Sequence, residues 1–307
     1  IDDLIIIKDQ SGDVFWPSLA INQIGSINYD EGYIVKMNYQ SSGNSVLFSG
    51  QIVPSDVEMF FNEGWSIISY LNRESAPVQD MMESIEQNLI IIKDEDGLIY
   101  WPQFGVNSMS NMYPGRGYQI KLNSSSSFSY FSNSLTRSFD LENNIEKVYY
   151  SDPKKTGENM TLGIPISSWV SLPSLGDEIG VFSSDGILIG SEVFNGESIA
   201  ISIWGDDYST LEKDGINSGE KFYLKLWDRD SNKEKFLKIE KWLEGSDMYF
   251  SNSINITSMV SFSSKEKDEN EFFKKIDLLG RSLNNIKENQ ITFILFEDGS
   301  VVKQIKY

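Results

Sequence analysis

DLIIIKDQSGDVFWPSLAINQIGSINYDEGYIVKMN, residues 3–38, returns at residues 88–123 as NLIIIKDEDGLIYWPQFGVNSMSNMYPGRGYQIKLN. The two stretches align without a gap at an offset of 85 residues, with 14 identities in 36 positions. Most other pairs exchange like for like, as Val14 with Ile99 and Phe15 with Tyr100. Such self-similarity marks tandem copies of one folding unit, so function is sought in a modular array before a single active site.

Around the second copy the unit can be read in full. Residues 65–71 (WSIISYL) read as a strand, and Ser75-Ala-Pro as a helix start, with Ser as the cap and Pro in the first turn. Val78, Met81, Met82 and Ile85 then recur at the spacing of one apolar helix face. Residues 89–93 and 98–101 form a hairpin across Asp96-Gly97, and 117–122 a further strand. The unit is a small α+β module. By the same offset Ile1 is the counterpart of Glu86, just after that helix. The expectation is that the chain is the C-terminal part of a longer protein, with its first module lacking the helix.

Beyond residue 135 the pattern turns to β. Residues 177–182 and 187–194 flank the turn Asp185-Gly186, and apolar residues alternate along 199–204 and 222–227. This spacing predicts an antiparallel β-sandwich. The expected organisation is therefore mainly β: a truncated α+β repeat module over 1–60, a second over 61–134, the sandwich over 135–262, and a linker with a short β-rich tail over 263–307.

Composition narrows the chemistry. Across 307 residues, 40% apolar and 13% aromatic residues suffice for real cores. No apolar run approaches the roughly 18 residues of a membrane helix. A net charge of −19, with 26 basic residues scattered among 45 acidic ones, argues against nucleic-acid partners. The absence of Cys and His removes thiol nucleophiles, disulfides, Cys/His zinc sites and histidine triads. Carboxylate-pair hydrolysis, a Ser–Lys dyad or an oxygen-ligand metal site remain possible. No Asp/Glu pair stands out from the acidic background, and no catalytic residue is assigned.

Three groups are candidate sites. Asp206, Asp207 and Asp214 lie within nine residues and could contribute oxygens to a calcium ion, as could the run from Asp228 to Glu234. The second run lacks the turn glycine and the terminal bidentate Glu of a calcium loop, and reads more simply as a hairpin turn. Trp16 and Trp101 hold the same place in both repeats and could stack on sugar rings. Because the whole apolar pattern around them repeats too, a core role is the expectation. Asn22 and Asn107 are expected in turns. Asn159-Met-Thr and Asn255-Ile-Thr fit the glycosylation pattern.

The third group lies in the tail: KIDLLGR at 275–281, then ITFILFEDGSVVK at 291–303. It resembles the type A C-terminal sorting domain of proteins exported by the type IX secretion system of Bacteroidota. The matching residues are Asp277, Leu279, Gly280, Arg281, Asp298, Gly299, Ser300 and Lys303; the usual Pro-Asn-Pro opening strand is missing. GDEIGVF (176–182), IWGDD (203–207), GEKF (219–222) and GWSIISY (64–70) are likewise similar to modules of such secreted proteins. The resemblance implies a secreted or cell-surface protein whose tail is an export address read by the type IX machinery. On this reading the chain is a non-enzymatic adhesion, binding or spacer protein, with surface glycans or other copies of itself as further partners. The alternatives are an accessory region of a secreted hydrolase with its catalytic domain upstream, and a self-assembling filament subunit.

Overall fold

A computed structural model describes residues 3–37, 50–130, 145–208, 210–263, 272–276, 281, 291–296 and 301–305. The first module contains β1 (Leu4–Lys8), β2 (Val14–Trp16), β3 (Ile21–Asn22) and β4 (Ile34–Met37), in the sheet order β3-β2-β1-β4. The second contains β5 (Met59–Phe61), β6 (Gly64–Ser69), β7 (Ala76–Pro77), α1 (Val78–Met82), β8 (Leu89–Lys93), β9 (Ile99–Trp101), β10 (Val106–Asn107), β11 (Asn111–Met112), β12 (Gly117–Leu122) and β13 (Ser126–Phe128). Its main sheet runs β10-β9-β8-β12-β6. Four strands of that sheet thus repeat the first module, and β6 is the addition.

The repeat extends to individual hydrogen bonds. Asp9 Oδ1 accepts the Ser11 and Asp13 N–H groups at 2.8 and 2.9 Å, and Asp94 Oδ1 accepts those of Asp96 and Leu98 at 3.0 and 2.8 Å. Asn22 accepts the Gly25 N–H and Asn107 that of Ser110, so both asparagines brace turns. The Tyr33 hydroxyl accepts the Asn28 N–H, as Tyr118 accepts that of Tyr113. Short polar side chains that satisfy the turn amides make the loop as reproducible as the strands it joins.

The second module's core lies between the sheet and α1. Val78, Met81, Met82 and Ile85 pack there with Ile68, Tyr70, Ile92, Tyr118 and Ile120. The helix is shorter than its apolar spacing suggests: after Met82 the chain tightens into a 3-10 turn, Glu83–Ile85. Ser75 is not its cap. The cap position is Pro77, and the Val78 N–H donates instead to the Ser110 carbonyl at 3.0 Å, because Ala76 and Pro77 are drawn into a bridge with β11. β5 straddles the expected division at residue 60; it pairs with β13 and buries Met59 and Phe61 in this core.

The third unit holds β14 (Asn159–Ile164), β15 (Glu178–Ser183), β16 (Leu188–Val193), β17 (Ile199–Trp204), β18 (Phe222–Asp228), β19 (Lys233–Glu244) and β20 (Ile254–Ser263). They form one seven-stranded sheet in the order β16-β15-β18-β19-β20-β14-β17. It nearly closes on itself, with Gly190 of β16 against Ser202 and Ile201 of β17. All pairs are antiparallel except β14 with β20, which is parallel. The fold is thus mainly β and of the sandwich type, with a rolled sheet enclosing Leu162, Ile179, Val181, Ile201, Leu224 and Val260. In the tail β21 (Phe272–Ile276), β22 (Ile291–Phe296) and β23 (Val301–Ile305) make a three-stranded antiparallel sheet. Among the described residues no helix is long and apolar enough to cross a membrane.

Candidate functional site

The second module has two apolar faces. One carries α1; the other meets the sandwich. Ile91, Ile99, Trp101 and Val106 form a single buried cluster with Ala200, Ile254 and Ile256 of the rolled sheet. Trp101 is 1% exposed, with Phe104 edge-on at 4.8 Å. It lies over Gly163 of β14, where a Cβ would come within 2.9 Å of the indole. Trp101 is therefore a core residue, but of a core shared between two units and not of its own module's core, which lies on the α1 side of the sheet. The repeated turn joins in: Ser202 Oγ donates to the Gly97 carbonyl at 2.8 Å, and Lys155 pairs with Asp96 at 2.6 Å.

Lys93 is one functional residue that the sequence pattern does not single out. Its Nζ is buried in the same interface, donating to Asn159 Oδ1 at 2.8 Å and Asn252 Oδ1 at 3.4 Å, with the Trp65 ring 4.9 Å away. Neutral amides and an aromatic face replace water without supplying a counter-charge. Desolvation accordingly pushes its pKa down from 10.5 to about 7. Below pH 7 folded and unfolded chains are both protonated and the desolvation cost stands in full. Between about 7 and 10.5 the unfolded chain holds a proton that the folded chain releases, so stability rises by up to about 1.4 kcal/mol per pH unit. Lys93→Met removes this dependence. In urea titrations from pH 6 to 10, the wild type is expected to gain on the variant as pH rises; parallel profiles would contradict it.

Among the described residues Trp16 meets no such partner face. It is half-buried, and Lys8, the counterpart of Lys93, is exposed. The first module reaches the sandwich through Lys36, which pairs with Asp207 at 2.9 Å. It reaches the second module through Gly32, whose N–H donates to the Ile67 carbonyl at 2.8 Å, and through Glu31, which bridges Ile68. The two tryptophans are thus equivalent in sequence and in local fold, and different in surroundings.

Asp206, Asp207 and Asp214 come together in the loop after β17, braced on the backbone. Asp206 Oδ1 accepts the Asp214 N–H at 2.8 Å, and Asp214 Oδ1 accepts the Asp207 N–H at 3.1 Å. Lys36 and Lys154 supply positive charge to Asp207 and Asp214. Among the described residues no group of three acidic side chains is arranged to hold a metal ion. In the second run, Asp228 accepts the Ser231 N–H and pairs with Lys235, which together hold its carboxyl down to about 2. Asn232, in the left-handed region, accepts the Trp227 indole N–H. That run is a hairpin turn. Asn159 and Asn255 are both buried and hydrogen-bonded, closed to glycosylation in the folded chain.

Of the sorting residues, Asp277, Leu279, Gly280, Asp298, Gly299 and Ser300 lie outside the described residues. Arg281 is exposed, and Lys303 lies in β23. A cleft of about 360 Å³ opens beside the Trp101 interface, lined by Gln103, Phe104, Ile166, Ser167, Leu243 and Ser258 among others. Among the described residues no charged side chain lines it. It offers amide, hydroxyl and apolar contacts.

A second missed residue is Glu178. Fully buried on β15, its carboxylate accepts the N–H groups of Val148 (2.6 Å), Tyr149 (3.0 and 3.1 Å) and Tyr150 (2.8 Å). The segment leading into the sandwich is thereby clamped to the sheet, and Tyr149 stacks on Trp227 at 4.9 Å. Its one sequence signal is a Glu at the start of an otherwise apolar strand. No protein-family model, curated protein or solved structure matches the chain.

Proposed function

We propose that the chain is a non-enzymatic modular protein of the cell exterior, exported by way of its C-terminal tail, whose repeats and sandwich form a firm spacer for adhesion or binding. The observation that carries this reading is the shared core around Trp101. It joins the second repeat to the sandwich as one packed body, where a flexible linker would leave two. The gapless repeat supports an array, and the KIDLLGR and EDGS words support export by the type IX machinery. The uncharged cleft supports a binding role toward neutral ligands such as surface glycans.

Deleting residues 272–307 tests the export half of this reading. In a host with a working type IX system the truncated protein is expected to accumulate in the periplasm, read by fractionation and immunoblotting. Normal surface delivery would overturn it.

A further inference from the structure

The connection from β16 to β17 holds the one Asn-Gly pair of the chain, Asn195-Gly196. Asn195 is exposed, and its Oδ1 accepts the Glu197 N–H at 3.0 Å. This bond folds the side-chain carboxamide back over the Gly196 peptide. Gly196 has a φ of +92°, which a residue without a Cβ adopts at no steric cost. Among the described residues the Gly196 N–H and the Asn195 Nδ2 have no hydrogen-bond partner.

An amide nitrogen becomes a nucleophile only on losing its proton, so an N–H already engaged as a donor is held back. That is the state of the glycines in three Asp-Gly turns. The Gly97 N–H donates to the Asp94 carbonyl at 3.2 Å and the Gly186 N–H to the Ser183 carbonyl at 2.9 Å. The Gly215 N–H donates to Asp206 Oδ1 at 3.3 Å. Gly196 differs from all three, and the group beside it is a carboxamide, which can release ammonia. When its nitrogen adds to Asn195 Cγ, negative charge builds on Oδ1. The Glu197 N–H is already in place to receive that charge.

We propose that Asn195 is a site of self-modification in the folded chain, through a succinimide closed by the Gly196 nitrogen. That nitrogen loses its proton and bonds to Cγ; the Cγ–Nδ2 bond breaks, and Nδ2 takes up a proton and leaves as ammonia. Water then opens the ring at either carbonyl, giving aspartate or isoaspartate. Both products add a negative charge, and isoaspartate also lengthens the backbone by one atom. The loop is pinned on either side of the pair. The Phe194 N–H donates to the Asp177 carbonyl at 2.8 Å, and Ser198 Oγ accepts the Ile166 N–H at 3.2 Å. Ser198 and Ile166 line the cleft beside Phe104, so the added atom falls next to that wall. The chemistry needs neither export nor a ligand, so it stands or fails apart from the proposed function.

The test incubates the full chain in native buffer at mildly alkaline pH beside a synthetic peptide of residues 191–200. Both are then mapped by mass spectrometry after digestion at acid pH, where the ring closes slowly. Asn195 in the chain is expected to gain about 1 Da, the difference between a carboxamide and a carboxyl, at a rate within about tenfold of the peptide. The product is expected as a mixture of aspartate and isoaspartate. Its rate of formation should rise about tenfold per pH unit, as the deprotonated fraction of the Gly196 amide does. Asn195→Gln, which would have to close a larger ring, is expected to keep its mass. An unmodified Asn195 in the chain once the peptide has converted would overturn the proposal. So would aspartate as the sole product, which marks direct hydrolysis of the side chain without a ring.

Discussion

Trp101→Ala will separate the melting of the second module from that of the sandwich and destabilise the pair by about 3–5 kcal/mol, as truncation of a buried aromatic does. The indole fills the contact between two sheets, against Gly163 on one side and Phe104 on the other. Alanine leaves a cavity that neither rigid sheet can collapse to fill. Calorimetry should then show two transitions in place of one. The repeat supplies its own control: Trp16→Ala, at the same place in the first module but only half-buried, is expected to lose only about 1 kcal/mol. A second control is Gly163→Ala, whose methyl would press on the indole; its effect should shrink in the Trp101→Ala background, where there is room. Equal losses for the two tryptophans would refute the shared core.

Glu178→Ala is expected to release the segment 145–150 from the sheet, with a loss of about 3 kcal/mol or more. A carboxylate with several backbone donors is a charge-assisted network. Removing it strands the amide of the buried Tyr150 inside the sheet and leaves those of the more exposed Val148 and Tyr149 to turn to water. The Tyr149–Trp227 stack should loosen with them. Hydrogen exchange reads the effect at those three amides, and limited proteolysis reads it at the segment. Glu178→Gln keeps one acceptor oxygen but turns an NH2 toward N–H donors, so it is expected to fall between wild type and alanine. Protection of the three amides in Glu178→Ala equal to that of wild type would refute the clamp.

Much of the fold is legible in the sequence. The offset of 85 correctly equates β1 with β8, β2 with β9, β3 with β10 and β4 with β12, because local patterning and turn chemistry are properties of contiguous residues. The hairpin at Asp185-Gly186 and the alternation along β17 and β18 were legible for the same reason. The parallel pairing of β14 with β20 was not, since 93 positions separate Leu162 from its partner Asn255 and no local signal records such a pairing. Nor was the capture of Ala76-Pro77 by β11, which takes the cap away from Ser75. The acidic trio after β17 shows the same limit: spacing suggested metal ligands, while the backbone placed amides and lysines against those oxygens.

The pentapeptide LIIIK states the division most sharply. It occurs at Leu4–Lys8 and at Leu89–Lys93, and in both places its own composition determines a strand, a turn-facing lysine and two apolar sides. The tertiary structure alone decided that Lys8 meets water while Lys93 is sealed under Asn159, and that Trp16 lies half-open while Trp101 is a keystone. Strand formation follows from neighbours in the chain. Burial follows from neighbours in space, and those come from residues 159–256, which the repeat itself does not encode.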